Sequence, residues 1–363
     1  MKKVIGIYTF YIGANEPFWD EKSDNLGGSE TWTIEIANEF QKRGFHVIIF
    51  GHPSFWHFSN AGVEYLDRSL LNFRCEFQHF DYFISSRVIS ELNPDIACDN
   101  VYIMSHEAII NLANTYTDLK MNKVKKIACL SVWHANKLMS TYSGLTGDRL
   151  FLTMNGVDGD LYKYVDAEKK ENMMVWSSCK ERGLKNFIDN IFPIIKKEVP
   201  DFKLAICAYN NDIPQEYNDI EGITVYGKRS KKELSELQKK SNIWIYPNYG
   251  IDAETGYAAH ETFCLTAVEN GIAKNAIICG YATGLITTLY EYDGFVGKEL
   301  ELDYDTYDWY KMEQLNKLIA EKAIEVLKNK NLMKKLSENA FDICKNYTWE
   351  NAVNTWINEF NNV

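Results

Sequence analysis

The chain reads as an α/β protein of two doubly wound parallel sheets, and three observations carry that reading. Short apolar, β-branched runs alternate with longer helical patterns along nearly all of its 363 residues. The runs are continuously apolar, as strands buried on both faces of a parallel sheet must be. A polar, unpatterned stretch at 160–172, which contains Asp166-Ala-Glu-Lys-Lys-Glu-Asn172, parts the strands into six and five.

The elements follow in order. Strands are expected at 4–10, 46–50, 82–85, 101–105, 126–131 and 149–154, then at 173–177, 203–208, 223–226, 243–246 and 276–279. Helical patterns fall between them at 30–43, 135–142, 186–198, 231–240 and 262–273. Three more helices close the chain at 311–328, 332–345 and 349–360. Alternating strands and helices place ligands outside the carboxyl ends of the strands. The expected organisation is a Rossmann-like domain at 1–160, a second at 161–345 facing it across a ligand-binding cleft, and a closing helical segment at 346–363. Trp349 and Trp356, seven apart, share one helical face and read as core.

Composition narrows the function. Lys+Arg total 39 and Asp+Glu 50, for a net charge of −11. Such a chain repels phosphate backbones, so no nucleic-acid partner is expected. The eight cysteines form no C-x-x-C and lie mostly in apolar runs, as buried thiols of a reducing compartment do. Met1-Lys-Lys opens an apolar run that stops at Asn15, Glu16 and Asp20, which fits a first strand better than a signal peptide. No apolar stretch is long enough for a transmembrane segment; peripheral membrane contact stays compatible, and a cytoplasmic location is expected. G-x-G-x-x-G after the first strand and G-x-x-x-x-G-K-[ST] are both missing, against a dehydrogenase or a P-loop enzyme. His52, His57 and His79 lack metal-ligand spacing, so no metal site is expected.

Two constellations carry chemistry. Gly27-Gly28-Ser29-Glu30 follows a long loop and opens a helix, with Ser29 as the expected N-cap. Exposed amides there attract anions. A plain turn explains the tetrapeptide equally well. The second is His260-Glu-Thr-Phe-Cys-Leu-Thr-Ala-Val-Glu269. A helix expected from Thr262 turns the amides of Phe263, Cys264 and Leu265 toward a phosphate, with Glu261 just before it and Glu269 two turns on. By spacing alone, a capping acid and a solvent-facing Glu serve as well. Phe18 and Trp19 are candidate stacking residues for a ligand. The acidic loop at 250–256 is a candidate for ligand selectivity.

Taken together, these motifs resemble those of retaining, nucleotide-sugar-dependent glycosyltransferases of the GT-B fold, the Glu-x7-Glu group similar to glycosyltransferase family 4. Glu261 and Glu269 match the paired acids, and Gly27-Gly28-Ser29-Glu30 the first-domain glycine loop. Asn155-Gly-Val-Asp158 resembles the interdomain segment, and Ser177-Ser-Cys-Lys-Glu-Arg-Gly-Leu184 a phosphate-binding strand end. Tyr347-Thr-Trp-Glu-Asn-Ala-Val-Asn-Thr-Trp356 is similar to the helix that crosses back onto the first domain.

The resemblance implies a donor that is a nucleoside-diphosphate sugar, UDP- or GDP-linked, and a glycan, lipid-linked or small-molecule acceptor. It implies Glu269 on the ribose, Glu261 near the sugar, and the backbone of Phe263, Cys264 and Leu265 on sugar or phosphate. Arg182 stands where the family has its phosphate lysine, beside Ser178 and Lys180. The usual arginine position is Ser177, a departure for which Lys180 or Lys185 is the expected compensation. Lys228 and Arg229 match the nucleobase segment. Gly27, Gly28 and Glu30 approach the diphosphate and acceptor. His106, ending a strand, stands beside the donor sugar, whereas Ser131 as an N-cap suffices to explain His134. Retention by front-face attack, without a metal, is implied. A GT-B epimerase or phosphorylase, or a non-catalytic sugar-nucleotide-binding subunit, are the alternatives.

Overall fold

The computed structural model describes residues 2–9, 18–23, 26–87, 96–98, 100–109, 123–165, 171–207, 213–248, 260–302 and 308–362. The loop at 250–256 lies outside them, as do parts of the segment before Gly27. The chain divides into a unit of residues 1–156 with 348–363 and a unit of 157–347.

Among the described residues the first unit holds eight strands: β1 (Val4–Thr9), β2 (His46–Gly51), β3 (His57–Phe58), β4 (Glu64–Asp67), β5 (Tyr82–Ser86), β6 (Val101–Met104), β7 (Val124–Cys129) and β8 (Leu150–Leu152). Their order is β3-β4-β2-β1-β5-β6-β7-β8. All pairs are parallel except β3 with β4. Residues 5–9 of β1 are all buried, the burial on both faces that the apolar runs require. β3 and β4 are absent from the sequence expectation because one has two residues and the other carries a charge at each end.

Helix Gly28–Lys42 and helix Trp349–Asn361 both belong to this unit. Trp356 is fully buried against Trp32, Phe151 and Phe360, and Phe360 stacks on Tyr82 at 3.8 Å. Much of the aromatic content therefore serves packing.

The second unit holds β9 (Met173–Trp176), β10 (Lys203–Ile206), β11 (Ile223–Val225), β12 (Ile243–Tyr246), β13 (Ala276–Gly280) and β14 (Phe295–Val296), in two parallel runs, β11-β10-β9 and β12-β13-β14. A parallel bridge between Glu171 and Ser241 joins the starts of β9 and β12. The chain winds outward from β9 to β11 and restarts at β12, so the strand order reverses between β9 and β12. Helix Lys231–Lys240 matches its expected bounds because Ser230 and Glu233 form a capping box. The expected helix at 186–198 instead passes through a π-helical turn, Phe187–Ile191, into Phe192–Glu198. Pro193 has no N–H to donate, and the ladder widens just before it.

All eight cysteines are free, and burial pushes the Cys129 and Cys207 thiols up to about 12. No helix among the described residues is long and apolar enough to cross a membrane.

Candidate functional site

In the second unit, β9 and β12 end side by side where the strand order reverses, and three side chains meet there. Beyond β9, Ser177 and Ser178 lead into a 3-10 turn, Lys180–Arg182, closed by left-handed Gly183. Arg182 Nη1 reaches Glu261 Oε1. Tyr246, the last residue of β12, donates its hydroxyl to the same oxygen at 2.7 Å. Tyr246 is 1% and Glu261 8% exposed, whereas the Arg182 side chain keeps 28% of its surface open. The Glu261 carboxylate holds the guanidinium well above its usual range, and burial with that same charge pushes the Tyr246 phenol well up. Arg182 thus donates to Glu261 and also hydrogen-bonds the Cys179 side chain, and the exposed part of its planar fork leaves donors for an anion.

The expected helix start at Thr262 is corrected. The helix is Leu265–Ile272, with Cys264 as N-cap at φ +75°, a left-handed residue that no helix can contain. The leading amides are therefore those of Leu265 and Thr266. Phe263 is 3% exposed and packs edge-on against Tyr347, so its side chain is closed to a ligand. Its carbonyl accepts from Thr288 Oγ1, and the Glu261 carbonyl accepts from Gly284 N–H at 2.8 Å.

Glu269 is half-buried on the same helix. Its carboxylate accepts from Gln238 Nε2 at 3.4 Å, and Gln238 Oε1 accepts from the Tyr162 hydroxyl at 2.7 Å. Burial raises its pKa, with Gln238 and Lys231 opposing. A desolvated carboxylate with one long hydrogen bond has lone pairs left for hydroxyl donors, such as those of a ribose. Lys228 and Arg229 follow β11, at the outer end of its run, with Arg229 exposed over the Tyr226 ring at 5.7 Å. Lys180 is half-buried in the 3-10 turn, and Lys185 is committed to a surface pair with Asp189. The Ser177 hydroxyl is buried without a hydrogen-bond partner among the described residues.

In the first unit, helix Gly28–Lys42 is capped by Gly27 rather than by the expected Ser29. Ser29 lies inside the first turn, where its hydroxyl accepts from Arg87 Nη1 at 3.0 Å. Arg87 also pairs with Glu107 and approaches Glu30, which is 4% exposed. His106 hydrogen-bonds Ser86 at 3.1 Å and packs edge-on against Trp32. Burial and the nearby Arg87 push its pKa down to about 3, so the ring is neutral in neutral solution. Phe18 is 47% exposed, but Trp19 is 3% exposed, with its backbone N–H on the His52 carbonyl. A buried indole cannot stack on an incoming sugar, which corrects the expectation for Trp19. Arg87, Tyr246, Gln238 and Tyr162 were not singled out from sequence; each ends or follows a strand or completes a chain of hydrogen bonds.

His134 is fully buried behind this cluster. Its Nδ1 accepts from Leu130 N–H at 3.3 Å, so Nε2 carries the proton and donates to Ser105 Oγ at 3.0 Å. The Ser131 hydroxyl accepts from the His134 amide, the cap expected from sequence. Burial pushes the imidazole down to about 4 from 6.5. The unfolded state then binds the extra proton between those values, so stability falls as pH drops from about 6.5 to about 4, by on the order of 3 kcal/mol from this group. Urea denaturation at about pH 7 and about pH 4.5 measures this, and in His134→Gln the difference shrinks accordingly.

No model of a known protein family matches the sequence. A Methanocaldococcus jannaschii protein described as an uncharacterized glycosyltransferase is 24% identical over 231 residues, 63% of this chain and 57% of that protein. The chain thus matches a little over half of that relative's length. Sucrose-phosphate synthase from Thermosynechococcus elongatus superposes with a TM-score of 0.69 at 12% identity, covering 99% of each chain. WaaG, a glycosyltransferase involved in lipopolysaccharide biosynthesis, gives 0.66 at 12% identity over 98% of this chain and 99% of its own. Anabaena HepE, solved with UDP and glucose, gives 0.65 at 12% identity over 100% of both. The chain has the GT-B fold.

Proposed function

We propose that the protein is a glycosyltransferase that moves a sugar from a nucleoside-diphosphate sugar to an acceptor hydroxyl, with retention of anomeric configuration and without a metal ion. The observation that carries this reading is the Arg182–Glu261–Tyr246 cluster, set beside the start of helix Leu265–Ile272 where the strand order of the second unit reverses. When the sugar leaves, negative charge grows on the outer phosphate. A partly open guanidinium and a helix N-terminus are fixed positive poles for that charge. Glu261, held on one oxygen by two donors, turns a carboxylate toward the sugar. Glu269 accepts from the ribose. The leaving phosphate takes the acceptor proton during front-face attack.

The parts proposed for Gly27, Gly28 and His106 rest on the first unit's own geometry. The glycines open a helix, and a neutral His106 offers a hydrogen bond to a sugar hydroxyl without serving as an acid. HepE with UDP and glucose, and starch synthase IV of Arabidopsis thaliana bound to ADP and acarbose, support a nucleoside-diphosphate donor.

A panel of UDP-, GDP- and ADP-sugars tests the reading. One donor is expected to release nucleoside diphosphate slowly in water and faster with acceptor. Sugar conversion without release makes the protein an epimerase, and binding without turnover makes it a non-catalytic subunit. Glu269→Gln gives a second check. It is expected to weaken nucleotide binding about tenfold, or about 1.4 kcal/mol, while leaving the melting temperature equal or higher, because a desolvated charge is removed. Calorimetry and a thermal melt read the two effects separately.

A further inference from the structure

The first unit carries a second group of chemistry-bearing side chains, distinct from those used above. Asp20, Glu21 and His57 each offer one ligand atom, and these atoms all lie within 4.8 Å of one another. His57 Nε2 is 3.1 Å from Glu21 Oε2 and 4.0 Å from Asp20 Oδ2. Donor atoms bound at roughly 2.0–2.1 Å around one ion lie roughly 3–3.5 Å apart, a spacing that His57 and Glu21 meet at 3.1 Å and from which His57 and Asp20 differ by a small side-chain shift at 4.0 Å.

Two further features point to an ion rather than to a cluster of surface charge. The other imidazole nitrogen, Nδ1, is 3.0 Å from the Phe55 carbonyl, to which it can only donate. That bond turns Nε2 toward the two carboxylates, where it hydrogen-bonds Glu21 Oε2 at 3.1 Å; an ion seated there takes the place of that Nε2 proton, and a carbonyl on Nδ1 is the partner that orients metal-binding histidines. The ring plane is fixed as well: His57 and Tyr65 face each other across β3 and β4, their rings parallel within 5° and 5.0 Å apart. Tyr65 is 1% exposed, and its hydroxyl has no partner among the described residues. Burial raises its pKa, and the charges of Glu21 and Asp20 add to that rise. The buried Trp19 Nε1, next to Asp20 in the chain, likewise has no partner among the described residues. A water or hydroxide on an ion held by Asp20, Glu21 and His57 is the acceptor that such donors lack.

We propose that Asp20, Glu21 and His57 bind one first-row divalent ion of the zinc or manganese class. One imidazole nitrogen and two carboxylate oxygens suit these ions, and three protein ligands leave a position for water. The ion clips the segment 18–23 onto the β3–β4 edge of the sheet, on the stretch of chain that leads to Gly27. This site rests on the first unit alone, and its test does not read glycosyl transfer.

Chelator-treated full-length protein is titrated with Zn2+ and Mn2+ in a calorimeter, and its melting temperature is followed. One ion per chain is expected, with a Kd below about 10 μM and a raised melting temperature. Affinity falls at least tenfold in His57→Ala and in the isosteric Glu21→Gln and Asp20→Asn, whose folding is checked by circular dichroism. Because the chain holds eight cysteines, Co2+ serves as a probe of ligand type: visible bands without thiolate charge transfer mark a nitrogen and oxygen site. Binding that persists in all three variants, a thiolate spectrum, or no binding by wild type overturns the proposal and leaves a histidine–carboxylate ion pair.

Discussion

Replacing Arg182 with alanine is expected to cut nucleoside diphosphate release from the donor tenfold or more, at least about 1.4 kcal/mol of transition-state stabilisation. The same change lowers stability, because Glu261, 8% exposed, is left with the Tyr246 hydroxyl alone. Arg182 keeps 28% of its side-chain surface open. The loss is therefore about 2 kcal/mol, less than a fully buried pair commands. The two effects have different causes, and a double variant separates them. In Arg182→Ala/Glu261→Gln the orphaned charge is gone, so the melting temperature recovers in part while turnover does not. Recovery of both, or near wild-type turnover in Arg182→Ala, removes Arg182 from the site. Arg182→Lys keeps the charge without the planar fork. It is expected to fall between the two, with KM for the donor raised more than kcat is lowered.

The pairing behind this prediction was only half legible in the sequence. Arg182 and Glu261 were both singled out, from a strand end and a pre-helix acid, but they are 79 residues apart, and no spacing rule joins them. Tyr246 was visible as the last residue of a strand whose bounds, 243–246, match the structure. A phenol at the carboxyl end of a buried parallel strand is a signal that could have been used. The buried strands were legible because continuous Ile, Val and Trp runs have few other uses. β4 was not, since Glu64 is buried by pairing with Arg74 at 3.0 Å, a compensation made by a residue ten positions on. The helix after Glu261 was placed three residues early. Thr262, Phe263 and Cys264 have acceptable helix propensity, and only the left-handed backbone at Cys264 excludes them. Asp20, Glu21 and His57 illustrate the same limit, because a cross-strand register and a loop bring them together.

Gly284→Ala is expected to disable the site without touching any residue that meets substrate. The glycine has an ordinary helical φ, so what its position requires is space. A Cβ built there lies 2.5 Å from the Glu261 carbonyl oxygen, a separation real Cβ atoms do not show. The obstruction is backbone on the far side and cannot rotate away. The Gly284 N–H also holds that carbonyl at 2.8 Å, and Thr288, one turn on, holds the Phe263 carbonyl, so the segment 261–263 has no slack. Accommodating a methyl must push Glu261 off Arg182 and Tyr246. Overpacking of this kind costs about 2–3 kcal/mol, or roughly 5–10 °C in the melt of a unit of this size. A displacement of ~1 Å in a positioning carboxylate costs about hundredfold in turnover. Gly147→Ala, where a Cβ meets nothing within 4 Å, is the control and leaves both readings near wild type. If Gly284→Ala melts normally and turns over donor at the wild-type rate, the backbone behind Glu261 is not what fixes the carboxylate, and Tyr246 and Arg182 must do so alone.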